Sequence, residues 1–254
     1  MSLSPLFWGL KTKAKRRRMK RGEDVKLGQG GTLDPLADGV LVLGVGKGTK
    51  QLTQFLDCTK EYRTTCLLGC ETDSYDSEGA KVRTAPWKHV TKEDVEKALS
   101  QFTGEIKQTP PIFSALKMDG KPLYEYARKG IPLPRPIEPR SVTVHNLKLE
   151  EWLGGSHSFK WPEKSLSEEE KKAVEKAIQG VDESATIKDE PETQREGTSD
   201  VPTAFVLSMK VSGGTYVRSV VHDLAHAVDS YWKSLGKKRS SVLSWDVFEK
   251  HSRI

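Results

Sequence analysis

Three polar residues from separate parts of the chain have complementary chemistry. Asp34 lies in a glycine-rich loop, Tyr62 in a stretch rich in residues that favour β-strands, and Arg218 shortly after a Gly-Gly pair. A carboxylate can act as a nucleophile or a general base, and a guanidinium can orient it. A phenol ring can stack on a flat substrate group, although a strand tyrosine can equally serve the core. Because Asp-Pro steps are common in turns, Asp34 alone does not establish a site.

A second candidate for chemistry is the glycine-rich segment GVGKGTK, residues 44–50, between a predicted strand and a predicted helix. Such segments often bind phosphate at the N-terminus of the helix. A P-loop requires Ser or Thr directly after Gly-Lys, whereas Gly48 follows Lys47. The pattern therefore disfavours a nucleotide site and leaves two alternatives, an RNA phosphate site and a tight turn from strand to helix.

Two histidines, His222 and His226, lie four residues apart in HDLAH and would share one face of a helix. The segment resembles the zinc-protease pattern HExxH, but Asp223 stands where that pattern has its general-base glutamate. No third ligand is evident from the sequence, and Cys66 and Cys70 lack the paired spacing of a zinc site. We therefore predict packed or surface histidines and no metal.

The composition predicts a globular protein with charged tails or insertions. The chain has 254 residues and a formal net charge of +6, with a basic run, KTKAKRRRMKR, at residues 11–21 and an acidic stretch at residues 163–200. The basic run is typical of a phosphate-binding arm, a nuclear address or a solvated tail, or, with the apolar residues before it, of a mitochondrial presequence. No apolar run is long enough to span a membrane, and three cysteines favour a reducing compartment.

Mixed strands and helices are predicted to position these residues. Residues 40–45 are an apolar run bounded by glycines, which predicts a fully buried strand, and residues 49–56 have the spacing of a short amphipathic helix. Residues 141–150 alternate in polarity with a slip near His145, which predicts a half-buried strand. Proline and glycine interrupt residues 109–122, which predicts a long ordered loop.

Helix signals complete this pattern. Thr91 and Asp94 resemble a capping box, residues 123–128 predict a short helix, and residues 203–228 predict a strand, a Gly-Gly turn and a helix. Since the elements mix without regular βαβ alternation, we predict an α+β fold with a largely antiparallel sheet and flanking helices.

Four segments resemble TruB-type pseudouridine synthases and occur in the order of that family. GGTLDPLADGVLVLGVGKGTK resembles the family's signature loop, and KEYRTTCLLGCETDSYDSEG, QTPPIFSALKMDGKPLYEYARKG and GGTYVRSVVHDL resemble further family segments. The resemblance implies the pseudouridine synthase catalytic fold. It also implies an enzyme that isomerises a uridine of RNA to pseudouridine without a cofactor. The family's usual target is the T-loop uridine at position 55 of tRNA.

Within this resemblance, Asp34 corresponds to the family's nucleophile, Tyr62 to the tyrosine that stacks on the target base, and Arg218 to the arginine that pairs with the aspartate. The implied reaction detaches uracil from C1′ of its ribose and reattaches it through C5. Asp34 could act as the nucleophile at the sugar or as the base that removes a ribose proton, and the sequence leaves both mechanisms open.

Substrate binding is assigned to Gln29, Lys50 and Tyr216. Gln29 stands where relatives commonly carry a histidine that helps to hold the RNA loop, so we expect weaker handling of RNA with the chemistry intact. The implied partner is the T arm of tRNA, or another RNA with a T-loop-like hairpin. We expect a monomer without membrane association.

The predicted domain organisation is a basic, disordered arm at residues 1–25 and a catalytic domain at residues 26–250. An acidic, disordered insertion at residues 154–201, with a candidate helix at residues 167–178, interrupts this domain. The family normally opens with a strand and a loop resembling DKPxGxTS, and residues 1–26 stand in their place. The alternative function is therefore a catalytically impaired RNA-binding or RNA-folding relative on the same scaffold. We expect a fungal-like eukaryotic member that acts in the nucleus, the mitochondrion or both.

Overall fold

Strands and short helices alternate irregularly along the chain. The structure, a computed structural model, describes residues 25–172, 201–234 and 244–247. The strands are β1 (Leu27–Gln29), β2 (Leu43–Val45), β3 (Lys60–Leu68), β4 (Cys70–Thr72), β5 (Lys81–Thr84), β6 (Gly104–Gln108), β7 (Lys117–Met118), β8 (Lys121–Pro122), β9 (Arg140–Gly154), β10 (Ala204–Val211) and β11 (Ser244–Val247). The α-helices with both ends described are α1 (Thr53–Asp57), α2 (Lys92–Ala98), α3 (Leu123–Lys129) and α4 (Val217–Ser234), and 3-10 helices cover Gly46–Gln51 and Leu99–Phe102. A further helix begins at Glu168. Apart from Val25, the predicted basic arm lies outside the described residues.

A five-stranded antiparallel sheet forms the centre of the described structure. Its strand order is β11, β3, β10, β9, β6, and every neighbouring pair is antiparallel. Two-stranded ribbons are formed by β1 with β2, β4 with β5, and β7 with β8. The predicted α+β fold with a largely antiparallel sheet is confirmed.

Irregular register distorts the pairing of the longest of these strands, β9. One shift in its pairing with β10 leaves out His145, since Lys210 pairs with Asn146 while Val211 pairs with Val144. An extra residue in one strand of an antiparallel pair is a β-bulge, which increases the local twist. The slip predicted near His145 is therefore confirmed.

Helices α2 and α4 cover one face of the sheet. Val95, Val220 and Leu224 from these helices are buried against strand residues such as Phe205 and Leu207. Full burial of one such side chain contributes about 1.5–3 kcal/mol of transfer free energy. This layer holds most of the buried apolar side chains and is therefore the main apolar core of the described structure. Among the described helices, none combines the length and apolar character needed to cross a membrane.

The predicted helix starts agree with the structure. The Thr91 hydroxyl accepts a hydrogen bond from the Asp94 amide, and the Asp94 carboxylate accepts one from the Thr91 amide, which confirms the capping box. Helix α3 begins at Leu123, as predicted, and ends at Lys129, with Gly130 as its C-terminal cap. Gly130 has a φ of 60°, the left-handed conformation that commonly terminates helices.

The expectation of a fully buried strand at residues 40–45 was wrong. Only β2 is a strand in this run, and Leu43 and Val45 are 51% and 59% exposed. The reason is that the covered face of β2 is glycine: a Cβ on Gly44 would lie 2.9 Å from Cα of Thr49. Since neighbouring strand residues point to opposite faces, the backbone packs against the following helix while the apolar side chains face solvent.

The amphipathic helix predicted at residues 49–56 is divided into the 3-10 helix Gly46–Gln51 and α1. Leu52 is buried between them, whereas Leu56 is 44% exposed. Gly46 has a φ of 55° and its amide donates to the carbonyl of Lys26. The glycine-rich segment is thus a tight turn from strand to helix.

The first residues of the predicted insertion are bonded to the body of the protein, so the described structure continues past Gly154. Nε1 of Trp161 donates to the carbonyl of Leu68 at 3.0 Å, and Nε2 of His157 lies 2.7 Å from the carbonyl of Pro202. The aromatic ring of Trp161 also packs against the core. Burial of the Trp161 ring therefore orders the first residues of the stretch that was predicted, from its composition, to be a disordered insertion.

The helix predicted at residues 167–178 begins at Glu168. The Ser167 hydroxyl accepts a hydrogen bond from the Glu170 amide, which caps the first turn. Residues 173–200, which complete the predicted helix and most of the insertion, lie outside the described residues.

Residues 109–139, between β6 and β9, have a small core of their own. Met118, Leu123, Tyr126 and Ile137 are buried together, and the Tyr126 hydroxyl donates to the carbonyl of Met118 at 3.0 Å. This cluster confirms that the predicted long loop is ordered.

Candidate active site

Arg218 joins three loops at the start of α4. Its side chain is 7% exposed, and its Nε lies 3.1 Å from Oδ2 of Asp34. Nη1 lies 3.4 Å from Oδ2 of Asp76 and donates to the carbonyl of Ser74 at 2.6 Å. Nη2 donates to the carbonyl of Phe113 at 3.1 Å. Because a guanidinium presents its donors in a rigid fork, these contacts fix the three loops relative to α4.

Asp34 lies at the beginning of a turn in the loop between β1 and β2. The Ala37 amide donates to the carbonyl of Asp34 at 3.0 Å, and the Gly30 amide donates to the carbonyl of Val42 at 2.8 Å across the base of the loop. The Asp34 side chain is 25% exposed. The carboxylate is therefore oriented by Arg218 and still accessible to a substrate.

A second carboxylate, Asp76, lies on the same guanidinium and was not predicted from the sequence. The Ser74 hydroxyl donates to its Oδ1 at 2.6 Å, and the Glu78 amide donates to the same oxygen at 3.1 Å. Burial raises the pKa of Asp76, while the Ser74 hydrogen bond and the charge of Arg218 act in the opposite direction. In the sequence, Asp76 is one of several acidic residues in a turn-rich segment, and turn chemistry alone accounts for such residues.

Tyr62 extends from β3 and lies within the electrostatic range of Asp34. Burial raises the pKa of Tyr62 to about 12, and the charges of Asp34 and Cys58 act in the same direction. The half-buried ring packs against the core cluster on the helical side of the sheet. The phenol is thus neutral at physiological pH.

Gln108, at the end of β6, holds the turn that precedes Arg218. Its Nε2 donates to the carbonyl of Tyr216 at 3.0 Å, and its Oε1 accepts from the amide of the same residue at 2.8 Å. The Gln108 side chain is buried at 2% exposure. The Ser219 hydroxyl adds a hydrogen bond to the carbonyl of Thr109. The first turn of α4 is therefore fixed to β6, and sequence spacing gave no indication of this role for Gln108.

The three residues predicted to bind substrate lie on different elements relative to the ion pair of Asp34 and Arg218. Gln29 is on β1, and its Nε2 donates to the Thr32 hydroxyl at 3.3 Å. Tyr216 is half-buried immediately before α4. Lys50 is exposed on the 3-10 helix that follows β2. Gln29 and Tyr216 therefore lie in the chain segments that carry the pair, and Lys50 lies in the glycine-rich turn.

The geometry suits chemistry by an oriented carboxylate on a flat substrate. One oxygen of Asp34 is held by Arg218, a neutral aromatic ring lies nearby, and the arginine is itself fixed by Asp76 and two carbonyls. Such a carboxylate can act as a nucleophile or as a general base with little loss of orientation on reaction.

Comparison with known families identifies the group to which this scaffold belongs. Residues 16–165 match the TruB family pseudouridylate synthase, N-terminal domain. The matched part is more than half of the chain and includes Asp34, Tyr62 and Asp76. The chain belongs to the TruB family of pseudouridylate synthases. The family membership predicted from the sequence is confirmed.

Individual TruB-family relatives are similar over different lengths. The chain is 39% identical over 245 residues to tRNA pseudouridine synthase 4 of Saccharomyces cerevisiae, covering 86% of this chain and 61% of that protein. It is 39% identical over 264 residues to tRNA pseudouridine synthase 4 of Schizosaccharomyces pombe, covering 85% and 64%. It is 53% identical over 124 residues to tRNA pseudouridine synthase B of Aromatoleum aromaticum, covering 49% and 39%. The chain thus spans less than two thirds of the length of each of these relatives.

Proposed function

We propose that this protein isomerises a uridine of tRNA to pseudouridine, with the T-loop uridine at position 55 as its target. The observation that carries this proposal is the ion pair of Asp34 with Arg218 beside Tyr62, in a member of the TruB family. The names of the two fungal relatives support tRNA as the substrate.

In the proposed reaction, the bond between N1 of uracil and C1′ of ribose breaks, and a new bond forms between C5 and C1′. The C5 proton is released and N1 gains a proton, so substrate and product have the same composition. Asp34 either attacks C1′ as a nucleophile or removes a ribose proton as a base. Both routes need the oriented carboxylate that Arg218 provides.

The surrounding residues have separate roles in this proposal. A uridine inside a stack cannot reach Asp34, so the target base leaves the RNA loop and stacks on the ring of Tyr62. T-loop bases are already partly unstacked, which lowers the cost of this movement. Arg218 touches Asp34 and orients it, and Asp76 positions Arg218.

The decisive experiment compares Asp34→Asn with the wild-type protein on a T-arm transcript labelled with tritium at C5 of uridine. Each turnover releases the C5 hydrogen, so tritium release measures the reaction directly. We expect Asp34→Asn to abolish release while RNA binding, measured by filter retention, changes little. Binding by both proteins should weaken with rising salt, because phosphate contacts release counterions.

Asp38→Asn is the matched control, since Asp38 is an exposed carboxylate in the same loop. We expect this variant to retain wild-type turnover. Activity of Asp34→Asn equal to that of Asp38→Asn would contradict the proposed role of Asp34. Wild-type protein that binds the transcript without releasing tritium would instead indicate an RNA-binding relative without catalysis.

A further inference from the structure

One helical turn after Arg218, α4 contributes to a cluster of residues of metal-ligand type. Nε2 of His222 lies 3.1 Å from Oε1 of Glu71, and Nε2 of His226 lies 3.9 Å from Oε2 of the same carboxylate. The ligand atoms of these three residues all lie within 4.8 Å of one another. The sequence showed two histidines without a third ligand, and β4 supplies that ligand.

The spacing of these atoms suits a tetrahedral metal ion. Zinc binds imidazole nitrogen and carboxylate oxygen at about 2.0–2.2 Å, which places neighbouring ligand atoms about 3.3 Å apart. The 3.1 Å separation of Nε2 of His222 from Oε1 of Glu71 is close to this value, and the ligand atoms of all three residues lie within 4.8 Å of one another. His222 and His226 occupy positions i and i+4 of one helix, so both rings face the same side, and their centroids are 4.4 Å apart.

The residues around the cluster hold the ligands as metal sites require. Nδ1 of His222 lies 3.0 Å from Oδ1 of Asp223, an outer carboxylate that orients the ring and directs Nε2 toward Glu71. Nε of Arg83 donates to Oε2 of Glu71 at 2.7 Å, which leaves Oε1 for a metal. The ring of Tyr75 stacks on His222 with a centroid separation of 3.9 Å.

The cluster is reachable from solvent at one end. The side chains of Glu71 and His222 are 7% and 15% exposed, whereas that of His226 is 35% exposed. A metal ion can therefore enter past His226 and reach a buried carboxylate, and a water molecule can occupy the fourth position.

We propose that Glu71, His222 and His226 bind one divalent transition-metal cation such as Zn²⁺, at a site separate from Asp34. Two imidazoles and one carboxylate favour Zn²⁺ or Co²⁺ over Mg²⁺ and Ca²⁺, which prefer oxygen ligands. The bound ion connects β4 to α4 and thereby braces the segment that carries Ser74 and Asp76 against Arg218. Its role is structural.

A proton is the competitor of the metal in this cluster. Burial alone would lower the pKa of His222, but hydrogen bonds to Asp223 and Glu71 raise it to about 9. Without a metal, the cluster is therefore a hydrogen-bond network in which His222 is protonated. The test has to distinguish this network from a metal site by a direct readout of coordination.

The experiment uses the full chain, stripped of metal with a chelator and then titrated with Zn²⁺ and with Co²⁺ in the absence of RNA. We expect one ion per chain, the visible absorption of tetrahedral Co²⁺, and a rise in the melting temperature with Zn²⁺. His226→Gln and Glu71→Gln should each abolish the absorption. Asp223→Asn, which removes only the orienting carboxylate, should weaken affinity by about 10- to 100-fold.

His145→Gln is the matched control, because His145 is exposed on β9, and it should retain full binding. Far-UV circular dichroism checks that each variant is folded, and His226→Gln changes the most exposed ligand. Wild-type protein without stoichiometric Zn²⁺ binding would overturn the proposal. Unchanged Co²⁺ absorption in folded His226→Gln and Glu71→Gln would overturn it equally. Since no RNA is present, failure here is distinct from failure of the proposed isomerase activity.

Discussion

Nε of Arg218 lies 3.1 Å from Oδ2 of Asp34, although the two residues come from opposite parts of the described chain. The contact uses Nε of the guanidinium, and Nη1 and Nη2 hold Asp76 and the carbonyls of Ser74 and Phe113. The direction of the Asp34 carboxylate therefore depends on several loops at once. An ammonium group, which is a point charge without a planar fork, cannot make this set of contacts.

For this reason, we expect Arg218→Lys to lose most of the activity while keeping the charge. Misplacement of a reacting group by about 1 Å can cost about 100-fold in rate, and we expect a loss of at least that size in tritium release. The lost hydrogen bonds should also lower the free energy of unfolding by about 1–3 kcal/mol, measured in urea. Arg135→Lys, at an exposed position, controls for the substitution type and should leave stability unchanged.

Asp76→Asn tests whether the second carboxylate positions Arg218. Asparagine keeps the size of the side chain and can still accept the Ser74 hydrogen bond, but it removes the charge that faces the guanidinium. We expect turnover to fall at least about tenfold, equivalent to about 1.4 kcal/mol of transition-state stabilisation, with RNA binding unchanged. Glu78→Gln, on an exposed residue of the same turn, should have no effect on turnover. Equal rates for the two variants would exclude a positioning role for Asp76.

Tyr62→Phe should change the stability of the protein at high pH. The pKa of Tyr62 is raised from 10.0 to about 12 in the folded protein, so the unfolded chain releases this proton first. The resulting stabilisation is complete below pH 10 and is lost as the pH rises through about 12. We therefore expect Tyr62→Phe to lose less stability than wild type between about pH 10 and about pH 12, measured by urea unfolding. Tyr124→Phe, on α3, serves as the control.

Gly213→Ala should disturb the turn that leads into α4. A Cβ at this position would lie 2.6 Å from the carbonyl oxygen of Leu56 and 2.8 Å from Cα of Asp57. Such overpacking costs about 1–3 kcal/mol, and displacement of the turn should also reduce turnover. Gly48→Ala is the control, because a Cβ there would meet no described heavy atom within 4 Å. A melting temperature of Gly213→Ala equal to that of Gly48→Ala would show that the turn has room to adjust.

Local patterns in the sequence predicted local structure well. The capping box of Thr91 and Asp94, the start of α3 and the irregularity at His145 each depend on neighbouring residues, and each is present. Contacts between residues far apart in the chain do not follow from such local patterns, because no spacing rule brings Asp34 to Arg218. Only the resemblance to a family paired them, and the structure places them in contact.

The remaining features depend on tertiary contacts that a linear pattern does not encode. Leu43 and Val45 are apolar yet exposed, because the opposite, glycine face of β2 is the one that packs. Asp76 and Gln108 resemble ordinary turn and strand residues until α4 is placed beside them. Composition likewise gave no reason to separate Trp161 from the acidic residues that follow it.

The clamp between Gln108 and Tyr216 has a kinetic consequence, since it joins residues 108 positions apart. Closing so long a loop costs chain entropy before any contact rewards it, so such pairings form late. Local helices can therefore recover before the carboxylate and its arginine meet, whereas the pairing of β3 with β10 closes an even longer loop. In a refolding experiment, the helical part of the circular dichroism signal should regain its native value earlier than tritium release, and turnover would count only the molecules that have finished folding.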